Sequence, residues 1–176
     1  MFNGCTSLTS LDLSSFIMTK VYNMEEMFMN CNSLKFIKFS QTSRTNELKF
    51  MDKIFSGCTS LESLDLSFFD TSNVINMESS FYECSSLTSL EISSFKTTKD
   101  SNLKYMFYSC SSLTSLNLPN FDTSEINDEN LSSMFENCSK LNLYIDTIKC
   151  SNLISLIPSY VKVHNITINN FYLRKE

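Results

Sequence analysis

The chain has 176 residues, a formal net charge of −5 and 14 lysine and arginine residues, none of them in a strong cluster. Nucleic-acid binding depends on clustered cationic side chains, so we expect no nucleic-acid partner. No run of apolar residues approaches the roughly 20 needed to cross a bilayer, so we expect no membrane insertion. The length is that of one ordinary domain.

One pattern recurs from the first residues onward: Phe-x-x-Cys-x-Ser-Leu-x-x-Leu-x-Leu, with conservative variants. Six cysteines mark its copies at spacings of 26 to 28 residues, and the sixth copy is incomplete. A period in the twenties is typical of a solenoid, in which each repeat buries its apolar residues against its neighbours. The sequence therefore predicts about six repeats, marked by Cys5, Cys31, Cys58, Cys84, Cys110 and Cys138.

Before each cysteine, apolar residues are spaced three and four positions apart. In the second copy they are Val21, Met24, Met27, Phe28 and Cys31. This spacing is typical of one face of a helix, so we predict a short helix in each repeat. A methionine stripe can also indicate a soft metal site or a binding groove, but its register with phenylalanine and leucine favours core packing.

After each cysteine, apolar and polar residues alternate, as in Leu11-Asp12-Leu13. This alternation predicts a short strand with one face inward. Serine, threonine, aspartate and asparagine follow each strand, and these residues favour turns and helix caps. Stacked repeats of this kind predict an α/β solenoid with a parallel sheet on one face and short helices on the other.

The last part of the chain departs from the pattern. The sixth copy is one residue short, so we place its strand at residues 143–145. Further on, apolar residues alternate with polar ones and predict one or two closing strands: Val161, Val163, Ile166 and Ile168. We therefore divide the chain into repeats over residues 1–143 and a degenerate repeat with a C-terminal cap over residues 144–176.

The third copy shows the pattern best, reading Cys-Thr-Ser-Leu-Glu-Ser-Leu-Asp-Leu-Ser-Phe-Phe-Asp-Thr-Ser-Asn-Val-Ile-Asn-Met from Cys58 to Met77. It resembles the BspA-like leucine-rich repeat of bacterial and protist surface proteins, and the resemblance covers roughly residues 1–143. The resemblance implies an α/β leucine-rich-repeat solenoid. It also implies adhesion or partner binding at a cell surface, with no catalytic residues and no cofactor.

The cysteines invite a metal site or a set of disulfides. Zinc sites use cysteine pairs two to four residues apart, and the sequence has none, so we predict no metal site. Cysteines in adjacent repeats would lie within disulfide reach, but side chains that point the same way and pack in a core favour reduced thiols. Cys150 lies outside the register and is predicted either to pair with Cys138 or to stand free.

Catalysis has few candidate residues in this sequence. The one histidine, His164, lies in the predicted cap, whereas a nucleophilic cysteine needs a base beside it. The two glycines, Gly4 and Gly57, do not form a phosphate-binding loop. We therefore predict that the protein is not an enzyme and uses no cofactor.

The outward face of the predicted sheet is the candidate binding surface. Solenoids bind partners on such faces, so we expect a protein or glycan partner there. A structural spacer, or an intracellular repeat scaffold without a dedicated ligand, is the alternative. Alternation places seven non-serine residues on this face: Asp12, Phe36, Lys38, Asp65, Glu91, Asn117 and Tyr144.

The chain opens in phase with the repeat and shows no basic-then-apolar leader. We therefore expect a fragment of a longer protein or an internally started product. We also expect self-association through the uncapped first repeat. The family resemblance implies a secreted or cell-surface location if the parent protein carries a leader, and a cytoplasmic location is the alternative.

Overall fold

A computed structural model describes residues 1–42 and 44–166. They form a parallel-strand β-solenoid of about five turns with few helices, where the sequence predicts about six repeats. Within the described residues, no helix is long and apolar enough to cross a membrane. The strands are β1 (Ser10–Leu13), β2 (Phe36–Phe39), β3 (Ser63–Asp65), β4 (Ser89–Glu91), β5 (Ser115–Leu118), β6 (Asn142–Ile145) and β7 (Lys162–Asn165).

The strands pair in parallel and in register. β1 pairs with β2, β3 with β4, and β5, β6 and β7 form a three-stranded sheet. Leucines at the inward positions of the middle strands are buried, and the serines and acidic residues beside them are exposed. The alternation therefore predicts the strands correctly, including the strand placed at residues 143–145.

The predicted helices before the cysteines are wrong, because these segments are chains of tight turns. Met27 N–H donates to the Met24 carbonyl at 3.1 Å, and Cys31 N–H donates to the Phe28 carbonyl at 3.2 Å. These bonds span three residues, whereas α-helical bonds span four. The helical elements of the described ranges are a 3₁₀ turn at Asp128–Leu131 and a one-turn α-helix, α1, at Ser151–Ile154.

We call one complete circuit of the solenoid a layer. In each run of tight turns, every second N–H group bonds to a carbonyl of the next layer. An α-helix would use most of these groups internally. The turn side is therefore joined from layer to layer by backbone hydrogen bonds, as the strand side is. In the second layer, four donors reach four carbonyls at 2.8–3.0 Å: Met24 to Phe50, Glu26 to Asp52, Phe28 to Ile54 and Asn30 to Ser56.

Each turn segment needs a left-handed backbone at two positions. In the second layer φ is 53° at Glu26 and 59° at Asn30. Glycine adopts this conformation freely, and asparagine tolerates it better than most residues. The sequence signal for these turns is therefore the residue just before each cysteine, which is Gly4, Asn30, Gly57, Glu83, Ser109 or Asn137.

A column of phenylalanine rings runs through the core behind the turn segments. Neighbouring centroids lie 5.4–5.8 Å apart with interplanar angles of 0–14°. Five methionines of the repeats are buried beside the column, which confirms their assignment to the core. The rings are Phe2, Phe28, Phe55, Phe81, Phe107 and Phe135, and the methionines are Met24, Met51, Met77, Met106 and Met134.

The residues after β6 close the C-terminal side of the described solenoid. β7 pairs with β6, and α1 begins immediately after Cys150. The Tyr160 hydroxyl accepts a bond from Asn137 N–H at 2.8 Å, at a position where other layers use a carbonyl. Residues 167–176 of the predicted cap, including Ile168 of the predicted closing strands, lie outside the described residues.

Candidate interaction surface

The outward side chains of the strands form one column along the solenoid, which we call the sheet face. The structure places every residue predicted for this surface on it. Phe36 has 51% of its surface exposed, whereas most phenylalanines of the described residues are buried. The register pairs are Ser10 with Phe36, Asp12 with Lys38, Asp65 with Glu91, and Asn117 with Tyr144.

A shallow pocket of about 290 Å³ lies at the middle of the sheet face. Its exposed apolar side chain is Phe36, its acidic side chains are Asp65 and Glu91, and the inward residues Ile37 and Leu64 lie at its floor. Ser63 and Ser89 complete the lining. The pocket therefore offers apolar surface and two carboxylates side by side.

The charges along the sheet face are unevenly compensated. Asp12 is in register with Lys38, so opposite charges face each other across β1 and β2. Asp65 is in register with Glu91, and like charges directly opposite each other are destabilising. The middle of the sheet face therefore carries a local negative charge that a cationic group would compensate.

The acidic side chains also have a structural role that the sequence analysis does not anticipate. Asp12 Oδ1 accepts a bond from Ser14 N–H at 2.8 Å and so closes the turn after its strand. Hydrogen bonds from Ser14, and then the charge of Lys38, hold the pKa of Asp12 below its usual value. Two further carboxylates make the equivalent bond at 2.9 Å: Asp65 with Ser67, and Glu91 with Ser93.

The C-terminal end of the sheet face is aromatic. The rings of Tyr144 and His164 stack with centroids 4.6 Å apart and planes 15° apart. His164 Nε2 lies 3.3 Å from Asn142 Oδ1. His164 is absent from the predicted surface because the cysteine register ends before it, yet pairing of β6 with β7 brings it into the same column.

The cysteines form a buried file rather than a reactive site. All seven are free, and all but Cys5 are buried. Each thiol in the middle layers donates to a phenylalanine carbonyl of the preceding layer, as Cys84 does to Phe55 at 3.2 Å. Burial raises the pKa of Cys58 to about 12 and that of Cys138 to about 11, which disfavours the thiolate. Cys150 is also free, which decides between its two predicted states.

Within residues 1–42 and 44–166, no group of three histidine, cysteine, aspartate or glutamate side chains is arranged to hold a metal ion. Asp65 and Glu91 form one pair of carboxylates on the sheet face, and each bonds to a turn N–H group.

The first layer presents an apolar pocket of about 290 Å³. Phe16 and Ile17, which contribute to its lining, are 52% and 81% exposed. Phe69, in the same turn position as Phe16 two layers further on, is fully buried. Self-association through this end stays a prediction, to be checked by light scattering over a range of protein concentrations.

Comparison with known proteins identifies one family. The family model described as "Mycoplasma protein of unknown function, DUF285" matches residues 1–63 and again residues 49–169. No curated protein matches the chain, and no solved structure matches it. The family evidence therefore supports a repeat-type solenoid and assigns no activity.

Proposed function

We propose that this chain, which belongs to the family described as Mycoplasma protein of unknown function, DUF285, is a non-catalytic module that binds a protein partner through its sheet face. Membership of the leucine-rich-repeat class with six repeats, and adhesion at a cell surface, belong to the same proposal. They are supported by the repeat pattern and by the resemblance to BspA-like repeats. We propose that the partner is a protein. The experiment below would also reveal a glycan partner.

The pocket on the sheet face is the observation that supports this proposal. A lysine or arginine side chain combines an aliphatic stem with a cationic head. The stem would lie on the exposed ring of Phe36, and the head would reach Asp65 and Glu91. Interfaces commonly gain their affinity from a small central cluster of this kind surrounded by neutral contacts, and the surrounding serines fit that role.

The structural spacer is the second candidate, supported by a specific observation. Asp12, Asp65 and Glu91 each bond to the turn after their strand, so the fold alone accounts for an acidic residue at these positions. It does not account for the exposure of Phe36, which no turn or core contact requires. Removal of Phe36 therefore separates a binding surface from a spacer.

A peptide library displayed on phage tests the proposal without a known partner. The full chain is immobilised, and enriched peptides are compared with those from a triple variant carrying Phe36→Ala, Asp65→Asn and Glu91→Gln. The amide substitutions keep an oxygen that accepts the serine N–H while they remove the charge. We expect peptides with a lysine or arginine beside apolar residues, and we expect the triple variant to lose them.

Asp122→Asn provides the matched control. Asp122 Oδ1 accepts a bond from Ser124 N–H at 3.1 Å, so it has the same turn role outside the sheet face. This variant should retain the enriched peptides. The proposal is wrong if the folded triple variant binds the same peptides as the natural chain. Failure to enrich any peptide would favour the spacer, and saturable binding of a glycan array with no peptide bound would favour a sugar ligand.

A further inference from the structure

A cluster of three tyrosines lies on the turn side of the solenoid, away from the sheet face. The rings of Tyr82 and Tyr108, from successive layers, stack with centroids 4.9 Å apart and planes 7° apart. Tyr105 contacts both rings edge-on, at 6.4 Å from Tyr82 and 5.8 Å from Tyr108. Lys104 Nζ lies 5.3 Å from the centroid of Tyr105. All three tyrosines are half-buried.

The fold does not require tyrosine at these positions. Tyr105 adopts a left-handed backbone with φ of 56°, which is uncommon for a bulky residue and costs of order 1 kcal/mol. The positions of Tyr82 and Tyr108 follow a core phenylalanine, and other layers place Met29, Ser56 or Glu136 there. Other layers place smaller or more flexible residues at the strained position: Glu26, Lys53, Ser79 and Ser133.

One ring face of the cluster has no aromatic neighbour. In the part of the chain that the structure describes, the ring contacts of Tyr82 are those with Tyr105 and Tyr108. The preceding layer has Ser56 at the matching position, since the rings of Phe55 and Phe81 stack directly before these residues. The stack of Tyr108 on Tyr82 therefore ends beside a small side chain, where a planar group could extend it.

The charge beside this open end is negative. Glu83 follows Tyr82 in the chain and is exposed. Burial, and then the Glu83 carboxylate, raises the pKa of Tyr82, which agrees with a carboxylate close to the phenol. Lys104 lies over the ring of Tyr105, and Lys53, which closes a turn with Ser56, pairs with Glu26 at 3.5 Å. A planar cation would therefore find an aromatic face and a carboxylate together.

We propose that this tyrosine cluster is a second protein-binding surface, which takes an arginine side chain of the partner between Ser56 and the ring of Tyr82. A guanidinium group is planar, stacks on aromatic faces and pairs with carboxylates, here that of Glu83. Lysine carries the same charge but has no planar group that could extend the ring stack. A sugar ring can stack but brings no positive charge to Glu83. This surface is independent of the pocket on the sheet face.

Titration of the full chain, labelled with carbon-13 in its tyrosine rings, tests the inference by nuclear magnetic resonance. The probes are blocked pentapeptides with arginine or lysine between pairs of glycines. We expect the arginine peptide to shift the Tyr82 resonances in a saturable manner and the lysine peptide to shift them much less. Tyr22, which already has Lys49 Nζ 5.8 Å from its ring centroid, should not respond to either peptide.

Two substitutions at Ser56 make the test specific. Ser56→Tyr places a ring in the open position and should abolish the saturable shift. Its midpoint temperature of thermal unfolding should equal or exceed that of the natural chain. Ser56→Ala leaves the position open and should preserve the shift. An equal response to lysine, an absent response to arginine, or an unchanged response in Ser56→Tyr would overturn the inference. A saturable response to methyl glucoside alone would assign the cluster to a sugar instead.

Discussion

Each layer of this solenoid has two sides that solve the same problem with different backbones. On the strand side, β3 and β4 pair residue by residue, and every second side chain points inward. On the turn side, alternate N–H groups reach the next layer, and the others close tight turns within the layer. The strand ladders are made between layers, whereas the turn side uses about every second N–H group between layers and needs left-handed residues to do so.

Apolar spacing alone does not distinguish a helix from a chain of turns. Met24, Phe28 and Cys31 would share one face of a helix, and they also share one face of the observed turns. The partners of the N–H groups distinguish the two structures. In a helix the interior N–H groups bond within the helix, so they could not bond to a neighbouring layer. The residue before each cysteine carries this information, and the cysteine spacing does not.

The largest expected effect comes from the ring column of the turn side. Phe81 is fully buried and stacks on Phe55 at 5.8 Å and on Phe107 at 5.5 Å. Phe81→Ala should lower the free energy of unfolding by about 3–5 kcal/mol, and Leu90→Ala on the strand side by about 2 kcal/mol. Urea denaturation followed by circular dichroism measures both. An equal or smaller loss for Phe81→Ala would contradict the central place of the column.

Glycine substitution probes the left-handed positions directly. Gly57 has φ of +73°, and an added Cβ would lie 2.5 Å from Asn30 Oδ1. Gly57→Ala should destabilise the protein by about 1–2 kcal/mol, whereas the same change inside a helix would stabilise it by about 1 kcal/mol. Gly4→Ala is the control, since its φ is +71° with no atom within 4 Å of the added Cβ. Gly4→Ala should lower the free energy of unfolding by less, and that smaller loss measures the cost of the left-handed backbone alone. A higher free energy of unfolding for Gly57→Ala would contradict the left-handed turns.

The turns after the strands should show a pH dependence. Hydrogen bonds from Ser72 lower the pKa of Asp70, so its contribution to stability is present above the unfolded pKa and is lost as pH falls through the folded one. Asp70→Asn should destabilise the protein by up to about 1 kcal/mol at neutral pH, with a smaller effect near pH 3. Thermal unfolding at both pH values measures this. If Asp70→Asn is equally destabilising in acid, the effect comes from the geometry of the side chain and not from its charge.

The sequence predicts the strand side almost completely, because strict alternation leaves one choice of face. Leu64 is buried and the next residue, Asp65, is exposed, as the alternation predicts. The turn closures by Asp12, Asp65 and Glu91 are missed, although an acidic residue two positions before serine recurs at each site. His164 is missed because strand pairing, and not sequence period, brings β7 beside β6.

Serine-to-glycine substitution on each side of the solenoid shows whether the turn side has a left-handed backbone that the strand side lacks. Ser79 has φ of 54° on the turn side, and Ser89 is exposed in β4 on the strand side. Glycine relieves a left-handed backbone but weakens a strand, so Ser79→Gly should raise the free energy of unfolding by about half a kcal/mol and Ser89→Gly should lower it by a similar amount. Opposite signs in urea denaturation are the predicted result. A loss of stability in both variants would contradict the account, because glycine also weakens a helix.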